Sequence, residues 1–165
     1  MALFIEMTVT KLLVDPVTDM PMVVLSDKRG RELPIWIGVA EATAIAAEME
    51  KIVLERPMTH DLMKSLVEAC SAKLERVEIT AVKEGTYFSI LRLIDGSAEH
   101  VLDCRPSDGI ALALRMRRPI HVAKKVLDQM ASEHDENAVE EAMRACALRD
   151  FLENLQEDDF GKWKM

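Results

Sequence analysis

The chain has 165 residues, of which 49% are hydrophobic and 30% charged, and its net charge is −8. This balance is typical of a soluble globular protein with one sizeable core. No apolar run approaches the roughly 18 residues of a membrane span, and the N-terminus lacks the basic start of a signal peptide. We therefore expect a cytoplasmic protein with no membrane contact, in which Cys70, Cys104 and Cys146 are reduced.

Acidic charge is concentrated towards the C-terminal end. Residues 1–125 carry 17 Lys and Arg against 18 Asp and Glu, whereas residues 126–165 carry 4 against 11. Residues 105–125 are the exception, with six basic side chains and one acidic one. This distribution argues against a protein that coats DNA, but it leaves the basic segment 105–125 as a place where nucleic acid could bind.

The first third of the chain predicts a β-meander. Residues 3–14 are rich in strand formers, and residues 22–25 form a short apolar run. A hairpin signal at 27–30 then leads into a third strand at 32–37. Pro34 cannot donate a hydrogen bond to a neighbouring strand, so it places this third strand at a sheet edge or a bulge.

Two helices are predicted next. The first is an alanine-rich helix from Ala40, with Glu41 in its first turn, where a carboxylate is favoured by the helix dipole. The second begins with Thr59 as its N-cap and has His60 and Asp61 in its first turn. These two side chains have two interpretations. The first is that they are capping residues, and the second is that they form a general base beside a carboxylate, or a pair of metal ligands. The expected buried face of the second helix is Leu62, Met63, Leu66, Val67 and Cys70.

A second meander is predicted from residues 74–82, 87–94 and 98–104, followed by a helix at 106–117 and a short strand at 119–123. The expected fold is therefore α+β, with two antiparallel β-meanders and helices packed on the sheet. An amphipathic C-terminal helix is expected at about 138–155. We expect two units, a folded domain at 1–131 and an acidic helical tail at 132–165.

The start of the 106–117 helix combines several polar groups. Pro106 suits the first turn, and Ser107 and Asp108 can accept hydrogen bonds from its free N–H groups. Arg105 comes directly before it. This stretch is either a well-capped helix with an arginine nearby or a site that holds an anion.

Common catalytic motifs are missing from the sequence, which contains no GxGxxG, GxxxxGK[ST], HExxH or GxSxG pattern. What remains is a set of acids and bases at three helix starts: Glu41, His60, Asp61, Arg105, Ser107 and Asp108. If these helix starts converge, the carboxylates of Glu41, Asp61 and Asp108 could hold Mg²⁺ or Mn²⁺. Arg105 could steady phosphate charge and His60 could activate water, which together favour phosphodiester hydrolysis.

Three segments, at 33–42, 56–62 and 103–115, resemble motifs of the bifunctional nuclease domain family in order and spacing. The resemblance covers about residues 5–130. It implies a compact α+β domain, often self-associated, with the nuclease activity toward DNA and RNA attributed to plant members. The motif positions correspond to His60, Asp61, Arg105, Ser107 and Asp108 as catalytic candidates, with Glu41 in the first motif. The sequence departs from the family pattern at Gly109, where alanine is usual, and at Cys104.

Two functional hypotheses follow. In the first, the protein is a nuclease, possibly metal-assisted, and Arg105, Asp108, Asp61 and His60 share one concave site. In the second, it is a non-catalytic oligomeric binding or regulatory module whose polar motifs are caps and salt bridges. Under either hypothesis we expect a homo-oligomer, with a dimer favoured.

Overall fold

The computed structural model describes residues 3–16 and 18–133, which form seven strands and four helices. In chain order these are β1 (Phe4–Val14), β2 (Pro21–Ser26), β3 (Glu32–Trp36), α1 (Val39–Met49), α2 (Thr59–Ala69), β4 (Lys73–Lys83), β5 (Thr86–Asp95), β6 (Ala98–Cys104), α3 (Pro106–Met116), β7 (Ile120–Ala123) and α4 (Lys124–Glu133). The α+β fold with two meanders is confirmed.

All seven strands form one sheet in the order β3-β2-β1-β7-β4-β5-β6. Strands β1 to β3 and strands β4 to β6 are the two antiparallel meanders. The short strand β7 lies between them, antiparallel to β1 and parallel to β4. Its buried Ile120 and Val122 therefore join the two halves of the sheet into one core.

The sheet curves strongly from one edge towards the other. Pro34 lies in the edge strand β3, as its missing N–H predicted. The Tyr87 hydroxyl, on β5, donates a hydrogen bond to the Pro34 carbonyl oxygen at 3.2 Å. Four strands separate β3 from β5 in the sheet order, so this bond requires the sheet to curl.

Helix α3 is the central helix of the layer on the sheet, in contact with α1, α2, β4 and β5. Its Ile110 and Leu112 side chains are fully buried. Gly109 lets the first turn approach the sheet closely, because a Cβ there would lie only 2.8 Å from Cγ1 of Val77 on β4. The departure from alanine at this position thus sets how closely the start of α3 packs on β4.

The predictions for α2 need two corrections. The N-cap is Met58, and Thr59 is already helical. The predicted buried face is also wrong, since α2 buries only His60 fully. Leu62 and Leu66 are 53% and 56% exposed, Cys70 is exposed, and Met63 and Val67 are half-buried. Periodicity gives the spacing of an apolar stripe but not how deeply neighbouring elements cover it.

Some predictions concern residues that the structure does not describe. The helix expected at 138–155, Cys146 and most of the tail lie outside the described residues. The division of the chain near residue 131 stays a prediction. Cys70 and Cys104 are free cysteines, as expected. Among the described helices, none has the length and apolar character needed to cross a membrane.

Candidate functional site

The first turns of α1 and α2 meet the start of α3, and four of the predicted site residues come together there. We call Glu41, His60, Arg105 and Asp108 the helix-start cluster. The Arg105 guanidinium binds Asp108 through both carboxylate oxygens, with Nε 2.7 Å from Oδ2 and Nη2 3.1 Å from Oδ1. Its Nη2 also lies 2.6 Å from Glu41 Oε1. One arginine therefore holds carboxylates from two helices.

His60 completes the helix-start cluster from α2. Its Nε2 lies 3.1 Å from Asp108 Oδ1, which joins residues 48 positions apart in the chain. The His60 side chain is 8% exposed, whereas that of Arg105 is 66% exposed. The cluster thus has a buried imidazole on one side and a solvent-facing guanidinium on the other, with Asp108 between them.

The charge on the Asp108 carboxylate determines which ring nitrogen of neutral His60 carries the proton. Burial acts to raise the pKa of Asp108, but hydrogen bonds and charge from Arg105 and His60 outweigh it and lower the pKa below its ordinary value. An ionised carboxylate only accepts hydrogen bonds, so His60 Nε2 must be the donor. In neutral His60 the basic nitrogen is then Nδ1, which has no hydrogen-bond partner among the described residues.

Gly38 makes room for this arrangement on α1. It is the N-cap of α1, three residues before Glu41. A Cβ at position 38 would collide with Glu41 Oε2, while Oε1 of the same carboxylate binds Arg105. A larger residue at position 38 would therefore displace the Glu41 carboxylate from Arg105.

Asp61 is not part of the helix-start cluster, although it follows His60 in the chain. Its Oδ2 accepts a hydrogen bond from the Met58 backbone N–H at 2.9 Å and so caps α2. Its Oδ1 lies 2.7 Å from Nε of Arg115, a side chain 4% exposed near the end of α3. Both carboxylate oxygens therefore have structural partners, and the catalytic role of Asp61 stays a prediction without support from this geometry.

Ser107 lies in the first turn of α3 and is buried. Its hydroxyl makes no hydrogen bond within the part of the chain that the structure describes. The structure therefore connects it to the helix-start cluster only through its neighbours Arg105 and Asp108. The catalytic role predicted for Ser107 stays a prediction.

The three carboxylates predicted as metal ligands do not come together in the structure. Across residues 3–16 and 18–133, no group of three or more His, Cys, Asp or Glu side chains is arranged to hold a metal ion. Glu41 and Asp108 both bind Arg105, and Asp61 binds Arg115. The described side chains therefore do not fit an Mg²⁺ or Mn²⁺ site as they are arranged here, and the metal-ligand role of Glu41, Asp61 and Asp108 stays a prediction.

A second ion-pair network shows what is particular to the helix-start cluster. Glu78 on β4 is 2% exposed and lies 2.6 Å from both Arg76 Nε and Arg92 Nε. Burial would raise the pKa of Glu78, but these two arginines lower it overall. This network contains a buried carboxylate and arginines but no histidine. The carboxylate-bound imidazole therefore distinguishes the helix-start cluster from an ordinary structural ion pair.

The match of this chain to a known protein family spans all three helix starts. The model of the bifunctional nuclease domain matches residues 23–135 of this chain. The chain belongs to the bifunctional nuclease domain family. The helix-start cluster lies entirely within the matched region, and the family resemblance of the sequence motifs is thereby confirmed.

The relatives fall into two groups. An uncharacterized protein of Mycobacterium tuberculosis is 36% identical over 162 residues, which is 94% of this chain and 97% of the relative. Bifunctional nuclease 1 of Arabidopsis thaliana is 31% identical over 109 residues, covering 63% of this chain and 34% of the plant protein. Bifunctional nuclease 2 of the same plant is 30% identical over 103 residues, or 61% of this chain and 31% of the plant protein. The similarity to the plant nucleases is thus confined to about a third of their length.

Reasoning from sequence missed Arg115 and Gly38. In the sequence Arg115 is only one of the six basic side chains of segment 105–125, but in the structure it is the partner that holds Asp61. A signal existed for Gly38, because a glycine three residues before an acid at a helix start leaves room for a carboxylate to fold back. No local signal paired Arg115 with Asp61, since 54 positions separate them.

Proposed function

We propose that this protein hydrolyses phosphodiester bonds of DNA or RNA at the helix-start cluster. Membership of the bifunctional nuclease domain family supports a nuclease-related role. The observation that carries the proposal is the hydrogen bond between buried His60 and ionised Asp108, next to the exposed Arg105. A histidine oriented by a carboxylate is a common general base in hydrolytic enzymes.

Each residue of the cluster has a distinct task in this proposal. Asp108 fixes the His60 tautomer and stabilises the imidazolium that forms when Nδ1 takes a proton from water. The resulting hydroxide attacks phosphorus, the P–O bond to the leaving oxygen breaks, and that oxygen takes a proton from solvent. Arg105 contacts the phosphate oxygens with the exposed part of its guanidinium, where negative charge increases in the transition state.

Glu41 positions Arg105 in this mechanism. Its carboxylate binds Nη2, and the two carboxylates together fix the plane of the guanidinium. They also raise the pKa of Arg105, first through the Asp108 hydrogen bonds and then through Glu41, so Arg105 stays charged. A phosphate must then bind the outward face of Arg105 or displace Glu41.

The test is cleavage of labelled DNA and RNA by the purified full chain with Mg²⁺, with Mn²⁺ and with EDTA. We expect that Asp108→Asn and His60→Gln no longer cleave DNA or RNA in any condition in which the wild-type protein does. Full activity in either variant would contradict the assignment of the site.

The alternative, a non-catalytic oligomeric module, has one observation in its favour. Leu62 and Leu66 are neighbours on α2 and are both more than half exposed, which suits a self-association surface. Light scattering on wild-type protein and on Leu62→Ser/Leu66→Ser tests it. A dimer lost in the variant, together with absence of cleavage by the wild-type protein, would favour this alternative over the nuclease.

A further inference from the structure

A cleft lies at the opposite end of α3 from the helix-start cluster. It has a volume of about 740 Å³ and is lined by the last turn of α3, one side of α2 and the start of β4. Asp61 and Arg115 form part of its lining. Because His60 is the neighbour of Asp61, the same first turn of α2 contributes to both the cleft and the cluster.

Four basic side chains in this cleft make no ion pair with any described residue: Lys64, Lys73, Arg117 and Arg118. Lys73, Arg117 and Arg118 are exposed, and Lys64 is half-buried. In contrast, Arg115 in the same cleft is buried and paired with Asp61. The four unpaired cations come from α2, β4 and the end of α3, so the fold has gathered charges that are dispersed in the sequence.

The acidic side chains of the cleft do not cancel this charge. Besides Asp61, the lining contains Glu48, which pairs with Lys51, and Glu68. Glu68 is the one lining carboxylate without an ion pair to a described residue. The cleft therefore has an excess of unpaired positive charge, although the whole chain is acidic.

We propose that this cleft binds the phosphate backbone of a nucleic acid and delivers the strand to the helix-start cluster. The proposal rests on the nuclease function proposed above and identifies its substrate-binding surface. The cleft lining contains no aromatic side chain on which a base could stack. The cleft therefore offers charge for the phosphates and no platform for base stacking.

The distance between cleft and cluster suits one continuous strand. Helix α3 has 11 residues and is therefore about 16 Å long at about 1.5 Å per residue. Measured along the axis of a duplex, this length corresponds to about five phosphates of one strand, at about 3.4 Å each. A strand bound by Arg117 and Arg118 can thus reach Arg105 at the other end of the same helix.

This proposal also revises which part of the basic segment 105–125 contacts nucleic acid. Arg115 and Lys124 are each paired with a carboxylate, and Arg105, which is also paired, contacts phosphate at the helix-start cluster and not in the cleft. Of the segment, only Arg117 and Arg118 line the cleft with unpaired charge. Lys64 and Lys73, which lie outside the segment, supply the rest.

The experiment measures fluorescence anisotropy of a labelled mixed-sequence oligonucleotide with the full chain. The cleft variant is Arg117→Gln/Arg118→Gln. The matched control is Lys28→Gln/Arg29→Gln, which removes the same charge from two exposed residues of the β2–β3 turn that also make no ion pair with described residues. A second cleft variant, Lys64→Gln/Lys73→Gln, is measured in case the first does not fold.

Loss of two phosphate contacts should reduce the slope of log affinity against log salt by about 1.4 for a single strand. At about 0.1 M salt this corresponds to binding weakened roughly 20-fold, whereas the control should bind within about twofold of wild type. Binding of a single strand or of a duplex supports the proposal, because both present the same backbone.

Three results would overturn the inference. The first is a pair of cleft variants that bind as tightly as wild type, and the second is a Lys28→Gln/Arg29→Gln control that weakens binding equally. Equally tight binding of poly-glutamate would make the cleft a site for acidic protein segments instead. Anisotropy measures binding without cleavage, so this outcome is separate from the Asp108→Asn test of the proposed nuclease.

Discussion

The arginines at the two ends of α3 differ in whether they are paired with carboxylates. At the start, Arg105 is exposed but fixed by Asp108 and Glu41, while at the end Arg117 and Arg118 have no ion pair with described residues. A paired arginine is held in a defined geometry, which catalysis requires. An unpaired arginine is available to bind the phosphates of a polyanion. Residues that look alike in the sequence thus serve different purposes at the two ends of one helix.

The largest effect is expected from Asp108→Asn at the start of α3. Without the carboxylate, His60 loses the acceptor that fixes its tautomer, and cleavage should fall by about 100-fold or more. The comparison variant is Asp128→Asn on α4, which removes an equal charge from an exposed pair with Lys124. Cleavage rates of labelled nucleic acid measure the effect, and equal rates for the two variants would show that the cluster is not the site of chemistry.

A second effect concerns Asp61→Asn, which tests whether this residue is structural. The substitution leaves Arg115 buried without its counter-charge, which should lower the free energy of unfolding. We expect about 2 kcal/mol, below the usual figure for a fully buried pair because the Asp61 side chain is 37% exposed. Urea unfolding provides the measurement. A loss of cleavage with unchanged stability would instead return Asp61 to the catalytic residues.

The fold was largely predictable because its signals are local. Alternating apolar residues and turn residues located both meanders, and Pro106 located the start of α3. The pairing of β7 with β4 was not predicted, since nothing within a four-residue strand specifies a partner more than 30 residues away. The exposed face of α2 was missed for the same reason, because burial depends on which elements pack on it.

The sequence predicts which residues belong to the candidate site, but it does not predict which of these residues bind each other. The sequence indicated that three helix starts carry acids and bases, and the structure brings Glu41, His60, Arg105 and Asp108 together. The sequence places His60 next to Asp61, but successive helix residues point in different directions. Its carboxylate partner is Asp108, and Asp61 faces Arg115 instead.

A smaller effect is expected from Gly109→Ala, which disturbs the start of α3 and not its end. The added methyl group would lie against Val77 Cγ1, at a cost that the higher helix propensity of alanine offsets in part. The net loss of stability should be about 1 kcal/mol. Val77→Ala should relieve the contact, so the double variant should be more stable than the sum of the single effects predicts. Strict additivity would contradict the close packing.

The smallest effect is on the pH dependence of stability. The pKa values of Asp108 and Asp61 are lowered in the folded state, where ion pairs outweigh burial. As the pH falls, these two carboxyl groups bind protons in the unfolded chain before they do so in the folded protein. Their contribution to stability is therefore present at neutral pH and is lost below about pH 4. Urea midpoints should show a shallower acid loss in Asp108→Asn. Arg117→Gln/Arg118→Gln should keep the wild-type slope, because arginine stays protonated throughout, and a stability that rises with acid would contradict the assignment.

The most direct test of the division between the two ends of α3 is to measure Kd and kcat on one labelled nucleic acid for two variants. Asp108→Asn should lower kcat by about 100-fold and bind as tightly as wild type or tighter. Arg117→Gln/Arg118→Gln should bind roughly 20-fold more weakly and keep kcat within about twofold at saturation. If both variants change the same quantity, or if Asp108→Asn cuts at the wild-type rate, the division is contradicted.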